Sequence, residues 1–317
     1  MSWQEQPRRE EQIEVKERFS KRYKQLLGEH YDEFMECNMH YLRRAIRVNT
    51  LKAGVKGVKD RLSSWKLTKV PWCKEAFWIK GERRDIGNLL EHQLGYVYVQ
   101  DPASMLPPVV LSPSPSEKVL DMCASPGSKT SQAAAMMKNS GIIVANDSQG
   151  SRLAPLGVNL QKLGVMNTIL TKRDGRSFKR FEFDRVMVDA PCSGTGTIRR
   201  SLKGIYMYNP RQVEHLARTQ LGLAKAAFEA LRPGGVMTYS TCTLEPLENE
   251  AVISQLLDGY EDAKIEPIRL DIKREKPFTE QPDTAEKLRE EVSRCLRIHP
   301  YTNDTEGFFV AKIRKNA

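Results

Sequence analysis

Cysteine is scarce in this chain. Six occur in 317 residues, Cys37, Cys73, Cys123, Cys192, Cys242 and Cys295, with no CxxC pair and no Cys/His ligand spacing. That pattern excludes a disulfide-stapled scaffold and gives no reason to expect a metal site. No apolar run approaches the roughly 18–20 residues of a membrane span. The opening MSWQEQPRREEQ lacks the apolar stretch of a secretory leader. A cytoplasmic location with no membrane association is therefore expected. No GxxxxGKS/T run is present, which disfavours a nucleoside triphosphate site, and the loop DMCASPGSKT (121–130) is not GxGxxG. There is no internal repeat and no low-complexity tract.

The length suits one large α/β domain and a smaller one. Hydrophobic residues make up 40% and charged residues 28%, as in ordinary globular chains. Fifty Lys and Arg stand against forty Asp and Glu, a formal net charge of +10. A basic excess favours a polyanionic partner, most simply nucleic acid, with solubility as the bland alternative.

Apolar residues at helical spacing in 5–35, among them Ile13, Phe19, Tyr23, Leu26 and Leu27, predict one or two amphipathic helices. IRVNTL (46–51), a lysine-rich helical stretch, KLTKVPW (66–72) and AFWIK (76–80) suggest a small α/β module ending near residue 95. After the turn SPSPSE (112–117), strands and helices alternate. Strands are predicted at 118–123, 141–147, 167–172, 184–190, 235–241 and 306–315, and helices at 128–138, 151–164 and 209–231. Nearly continuous apolar strands imply a parallel sheet covered on both faces.

In such sheets, ligands bind beyond the C-terminal strand ends. The first strand runs into Pro126, Gly127 and small residues, followed by a helix N-terminus with free amides. The next strand ends at Asp147, an acid suited to a ribose hydroxyl pair. Asp174 follows the third and either meets an adenine edge or caps a helix. Acids at successive strand ends suit the sulfonium nucleoside S-adenosylmethionine better than a dinucleotide.

VMVDAPCSGTG (186–196) and GVMTYSTCTL (235–244) each place a cysteine just past a strand end. Neighbouring strands lie about 4.8 Å apart, so Cys192 and Cys242 would face one crevice. Singly, each reads as a small buried hydrophobe. Paired beside a methyl donor, a thiolate could add to C6 of a pyrimidine and make C5 nucleophilic. The second cysteine could assist release, Asp189 could stabilise the ring through its N3 edge, and Lys129 could assist by its charge.

Together the motifs QDPASMLPP (100–108), LDMCASPGSKT (120–130), ANDSQGSRL (145–153), DAPCSGTGTIRR (189–200) and YSTCTLEPLENE (239–250) resemble those of the Nol1/Nop2/Sun family of RNA 5-methylcytosine methyltransferases. The likeness runs from IRVNTLK (46–52) to GFFVAKIRK (307–315). It implies Cys242 as nucleophile and Cys192 as release cysteine, with Lys129 and Asp189 supporting catalysis. It also implies that Cys123, Ala124, Ser125, Pro126, Gly127, Ser128 and Lys129, with Asp147, Arg152, Asp174 and Asp189, hold S-adenosylmethionine. The implied fold is α/β: a class I S-adenosylmethionine-dependent methyltransferase, Rossmann-like with a mostly parallel seven-stranded sheet, in residues 96–317. An N-terminal helical segment and an RNA-recognition-like RNA-binding module fill residues 1–95. Many members read AAPGGK where this chain reads ASPGSK. Ser128 in place of Gly also occurs in the branch that modifies transfer RNA, and with no inserted RNA-binding domain the chain looks like a compact archaeal-type enzyme.

The expected partner is RNA, most simply transfer RNA, with ribosomal RNA as alternative. The chain is expected to act as a monomer, and an accessory protein is the other option. Basic residues Arg43, Arg44, Arg47 and Lys52, and Arg199, Arg200 and Lys203, are expected to meet RNA. Two other classes compete: a non-catalytic RNA-binding assembly factor, and a DNA cytosine methyltransferase. The latter would use Cys192 as nucleophile and leave Cys242 idle.

Overall fold

The computed structural model describes residues 2–11, 13–81, 85–278 and 286–317. Two sheets organise it. The first holds β1 (Ala45–Val48), β2 (Lys66–Lys69), β3 (Ala76–Lys80) and β4 (Val97–Val99), all antiparallel, in the order β2-β3-β1-β4. Period-2 alternation sends Ile46 and Val48 to one face, where they pack with Phe77, Ile79 and Val97 against Val58 and Leu62 of helix Val55–Arg61 and the turn after it. Ala45 and Trp78 face the other way and pack with Met105, Leu106 and Phe308. The small sheet is thus covered on both faces. Its closing strand, β4, lies past residue 95, because Arg47 pairs with Tyr98 in the ladder. The boundary read at 95 falls one strand too early.

The second sheet holds β5 (Lys118–Asp121), β6 (Ile142–Asn146), β7 (Thr168–Thr171), β8 (Phe183–Asp189), β9 (Leu231–Thr241), β10 (Ala263–Ile265), β11 (Leu296–Ile298) and β12 (Phe308–Lys315). Its order is β10-β12-β9-β8-β5-β6-β7, the seven strands expected, with β11 an additional strand beside β12. Strands β5 to β9 are parallel and β12 runs antiparallel to β9. Leu120, Val186 and Val188 point to a layer with Ala224, Phe228, Ile253 and Leu256, while Val119 and Met187 point to Ala133, Ala134 and Met137. Burial on both faces explains the unbroken apolar runs. The chain order reverses between β5 and β8, so the crevice of the sheet opens at their C-terminal ends.

The N-terminal helices Glu17–Leu27 and Tyr31–Met39 do not join the small sheet. Phe19, Tyr23 and Phe34 stack with one another and pack against Ile198, Leu202, Tyr208 and Leu244. Full burial of such side chains stabilises by about 1.5–3 kcal/mol each. The helices therefore brace the segments that follow Cys192 and Cys242.

Candidate active site

The loop after β5 turns sharply into a helix. Gly127 has φ +100°, a left-handed conformation that disfavours any side chain, and a Cβ there would meet Leu156 Cδ1 at 3.0 Å. Helix Ser128–Met136 begins at once, with its first amides free of intrahelical partners. Ala124 N donates to Asn146 O at 2.8 Å, tying the loop to β6. Arg152 Nη2 donates to Ser125 O at 2.9 Å, and Ser125 Oγ returns a bond to Arg152 O at 2.9 Å.

Asp147 is buried at the end of β6. Its Oδ1 accepts Gln149 N at 3.0 Å, while Oδ2 has no hydrogen-bond partner and lies 3.5 Å from Arg152 Nη1. A buried, unpartnered acceptor beside a cation fits a bound hydroxyl. With the left-handed Gly127 and the free helix amides, the residues present fit S-adenosylmethionine. Of the two roles open to Asp174, the structure has the cap: Oδ1 accepts Arg176 N at 2.9 Å, and the half-exposed carboxylate pairs with the Arg176 side chain. The Cys123 thiol is pushed well up by burial and by the charges of Asp121, Asp189 and Asp147, which keep it neutral.

Four groups converge where β8 and β9 end. Cys192 Sγ and Cys242 Sγ lie 3.3 Å apart, well beyond a bonded S–S length of about 2.05 Å, as two free thiols. Lys129 Nζ sits 2.7 Å from Asp189 Oδ2 and donates to Ser104 Oγ at 3.1 Å. Ser240 Oγ donates to Asp189 Oδ1 at 2.8 Å. Burial alone would lower the Lys129 ammonium, but the charge and hydrogen bond of Asp189 outweigh it and hold it above its ordinary value. The Cys192 thiol is held well up, first by its hydrogen bond with Cys242, then by burial and by nearby negative groups including Glu248 and Asp189. The site thus holds a charged ammonium–carboxylate pair, a protonated thiol, and a second sulfur within reach of the same ligand atom.

The family described as 16S rRNA methyltransferase RsmB/F matches residues 108–314, and the N-terminal domain of 16S rRNA methyltransferase RsmF matches residues 15–102. The chain belongs to the RsmB/F family. It is 44% identical to the tRNA (cytosine(49)-C(5))-methyltransferase of Pyrococcus abyssi, over 96% of this chain and 99% of the relative. It is 43% identical to the ribosomal RNA small subunit methyltransferase F of Aliivibrio fischeri, over 90% of this chain but 60% of that longer relative. A solved methyltransferase homolog from Pyrococcus horikoshii superposes with a TM-score of 0.83 at 38% identity, covering 95% of both chains. Membership in the RsmB/F family carries the class of the enzyme, an S-adenosylmethionine-dependent RNA (cytosine-C5)-methyltransferase on a class I fold.

Three basic residues expected at the RNA surface are instead internal. Arg47 is fully buried: its Nε donates to Gln100 Oε1 at 3.0 Å and its Nη2 to Ser131 Oγ at 2.9 Å, clamping the small sheet to the helix that carries Lys129. Arg199 is buried in an ion pair with Asp304 at 2.9 Å. Arg43 is also buried, over the Trp78 ring at 4.4 Å. Alternation along β1 turns Arg47 inward, and no charge count reveals that. Arg200 is exposed and reaches the buried Glu306 at 2.7 Å. Burial first, then the nearby Asp101 charge, pushes the Glu306 carboxyl up to about 8.

Sequence reading missed several supporting groups. Asn146 is fully buried and accepts from Arg173 N at 2.9 Å and Thr171 Oγ1 at 3.0 Å while donating to Met122 O at 3.1 Å, which ties β5, β6 and β7 at the cofactor end. Ser104 and Ser240 orient Lys129 and Asp189. The available signal was polarity at the end of an apolar strand. Among the described residues no helix is long and apolar enough to cross a membrane.

Proposed function

We propose that this chain transfers a methyl group to C5 of a cytosine in transfer RNA, acting in the cytoplasm as a monomer. The observation that carries the reading is the pair of free thiols 3.3 Å apart beside the Lys129–Asp189 pair. Transfer RNA is favoured because the relative named for it is matched over 99% of its length, whereas the ribosomal RNA relative is matched over 60%.

Cys242 acts as nucleophile: its sulfur bonds to C6, and the C5–C6 electrons shift so that C5 becomes nucleophilic. Asp189 faces the N3 edge of the attacked ring, and Lys129 balances its charge. S-adenosylmethionine, held by residues Cys123 to Lys129 with Asp147 and Arg152 (and Asp174 where its cap opens), supplies an electrophilic methyl group. Water takes the C5 proton, the C5–H electrons re-form the C5–C6 double bond, the C6–S bond breaks, and Cys242 departs as thiolate. Cys192, held protonated, assists that elimination by hydrogen-bonding the departing sulfur and does not attack.

The test uses labelled tRNA, S-adenosylmethionine and a denaturing gel. Cys242→Ala is expected to abolish methylation and form no adduct. Cys192→Ala is expected to transfer the methyl group and stall as a protein–RNA adduct. Two folded, active variants without adduct would reduce the cysteines to packing, and adduct from Cys242→Ala alone would reverse their roles. Bisulfite sequencing of RNA from cells with and without the gene is expected to show the lost site in tRNA. A site in small-subunit rRNA would overturn the tRNA assignment.

A further inference from the structure

Cys192 and Cys242 stand on separate loops, so something must fix their separation. Directly after them in sequence come Ser193 and Thr243. Both lean on one side chain. Glu248, in the turn Pro246–Glu248, is fully buried. One of its oxygens, Oε2, accepts Ser193 N at 2.9 Å and Gln220 Nε2 at 2.8 Å. The other, Oε1, accepts a short bond from Ser193 Oγ and a longer one from Thr243 Oγ1 at 3.3 Å. Gln220 also donates to Pro191 O at 2.8 Å, on the other side of Cys192. Ser193 Oγ and Thr243 Oγ1 are themselves 2.8 Å apart.

A buried carboxylate is costly unless donors surround it. Here four donors do, and three of them belong to the residues that follow the two cysteines. The rest of the turn is anchored independently: Tyr239 OH donates to Glu248 O at 2.6 Å, and Asn249 Nδ2 donates to Thr243 O at 2.9 Å. The fold therefore holds Glu248 in place without its carboxylate, which leaves the carboxylate free to hold the loops.

We propose that Glu248 is the positioning residue of both cysteines, clamping the two loops so that the thiols reach one base together. The proposal rests on the two-cysteine reading above for its effect on turnover, but its geometric content does not. Glu248→Gln keeps the shape and turns one accepting atom into a donor facing N–H and O–H groups. The loops then shift at the two cysteines, although Gly196 N still donates to Cys242 O at 3.0 Å and Thr195 Oγ1 still meets Thr243 Oγ1 at 2.9 Å.

Two readouts follow. In the first, wild-type protein and Glu248→Gln are equilibrated at pH 6 with oxidised and reduced glutathione, without RNA. Oxidised glutathione takes up the two thiol hydrogens as the Cys192–Cys242 bond forms, giving two reduced glutathiones. Thiols moved out of register lower this equilibrium constant about tenfold, a rise of about 30 mV in potential. In the second, kcat for tRNA methylation falls about 100-fold while KM for RNA and for S-adenosylmethionine stays within about threefold, as expected when reacting groups shift by about 1 Å. An unchanged redox equilibrium and an unchanged kcat in folded Glu248→Gln overturn the clamp. If that variant melts below the assay temperature, Ser193→Ala removes a single arm, and an unchanged redox equilibrium there overturns the clamp equally. If wild-type protein methylates no RNA, the functional reading fails while the redox arm still decides the clamp.

Discussion

Asp147 and Asp121 each bury an oxygen without a hydrogen-bond partner, for different reasons. Asp147 has Arg152 beside it and opens toward the cofactor loop. Its loose oxygen can accept one more hydrogen bond. Asp147→Ala is expected to weaken S-adenosylmethionine binding by about 1.5–3 kcal/mol, the range for hydrogen bonds to charged groups. Calorimetry showing unchanged affinity in a folded variant would refute the assignment. Asp121 is different: Thr130 Oγ1 donates to its Oδ2 at 2.6 Å, and burial pushes its carboxyl up to about 7. The unfolded chain releases that proton near pH 4, so between about pH 4 and 7 the folded state binds more protons and stability falls as pH rises. Asp101, pushed up to about 6 by burial, acts in the same direction. Asp121→Asn is expected to flatten part of this decline in thermal melts between pH 4 and 8. An unaltered slope would show that Asp121 ionises normally.

At the scale of elements, strands β5 to β9 were legible because each is an apolar run ending in chemistry. β10 and β11 were not, since three residues carry no period, and LRI in β11 puts an arginine in its middle. That arginine explains the strand. Arg297 Nε donates to Glu250 Oε1 at 2.8 Å and Nη2 to Oε2 at 2.7 Å, a bidentate pair without solvent exposure that joins β11 to helix Glu250–Gly259. Its Nη1 reaches Leu244 O at 2.9 Å, two residues past Cys242. Sequence spacing cannot show a pair 47 residues apart. A boundary at 95 assigns β4 to the catalytic domain, because YVYVQDP runs on into the next motif without a turn. The cysteines, Lys129 and Asp189 were legible because strand ends announce them. Glu248 was not, because its partners come from three elements. Removing one half of a buried pair strands the other charge. Glu250→Ala is therefore expected to cost about 3–5 kcal/mol by denaturant unfolding and to loosen the Cys242 loop. A loss under about 1 kcal/mol would mean the pair is solvated on relaxation.

For the molecule as a whole, the +10 charge is not all at the surface, because Arg43, Arg47, Arg199 and Arg297 are buried. An RNA-recognition-like sheet ordinarily offers one open face to bases. Here that face carries Ala45, Arg47 and Trp78 and is covered by the catalytic domain, so RNA must approach elsewhere. A cavity of about 630 Å³ lies between the N-terminal segment, β1 and the segment after Cys192, lined by Arg9, Tyr41, Arg44, Asp101 and Arg200 among others. Its basic rim leads toward Glu306, which precedes the strand paired with β9 beside Cys242. A target base entering from this side must be unpaired or flipped out of its stack. The two halves of the basic surface then separate by experiment. Neutralising Arg44, Arg200 and Lys203 together is expected to weaken RNA binding and to reduce the slope of log affinity against log salt by about one for each phosphate no longer neutralised. Arg199→Ala is expected to lower the melting temperature instead, since it abandons the buried Asp304. Binding measured across a salt series decides between them: a slope untouched by the triple variant would assign those charges to solubility and move the RNA path away from this cavity.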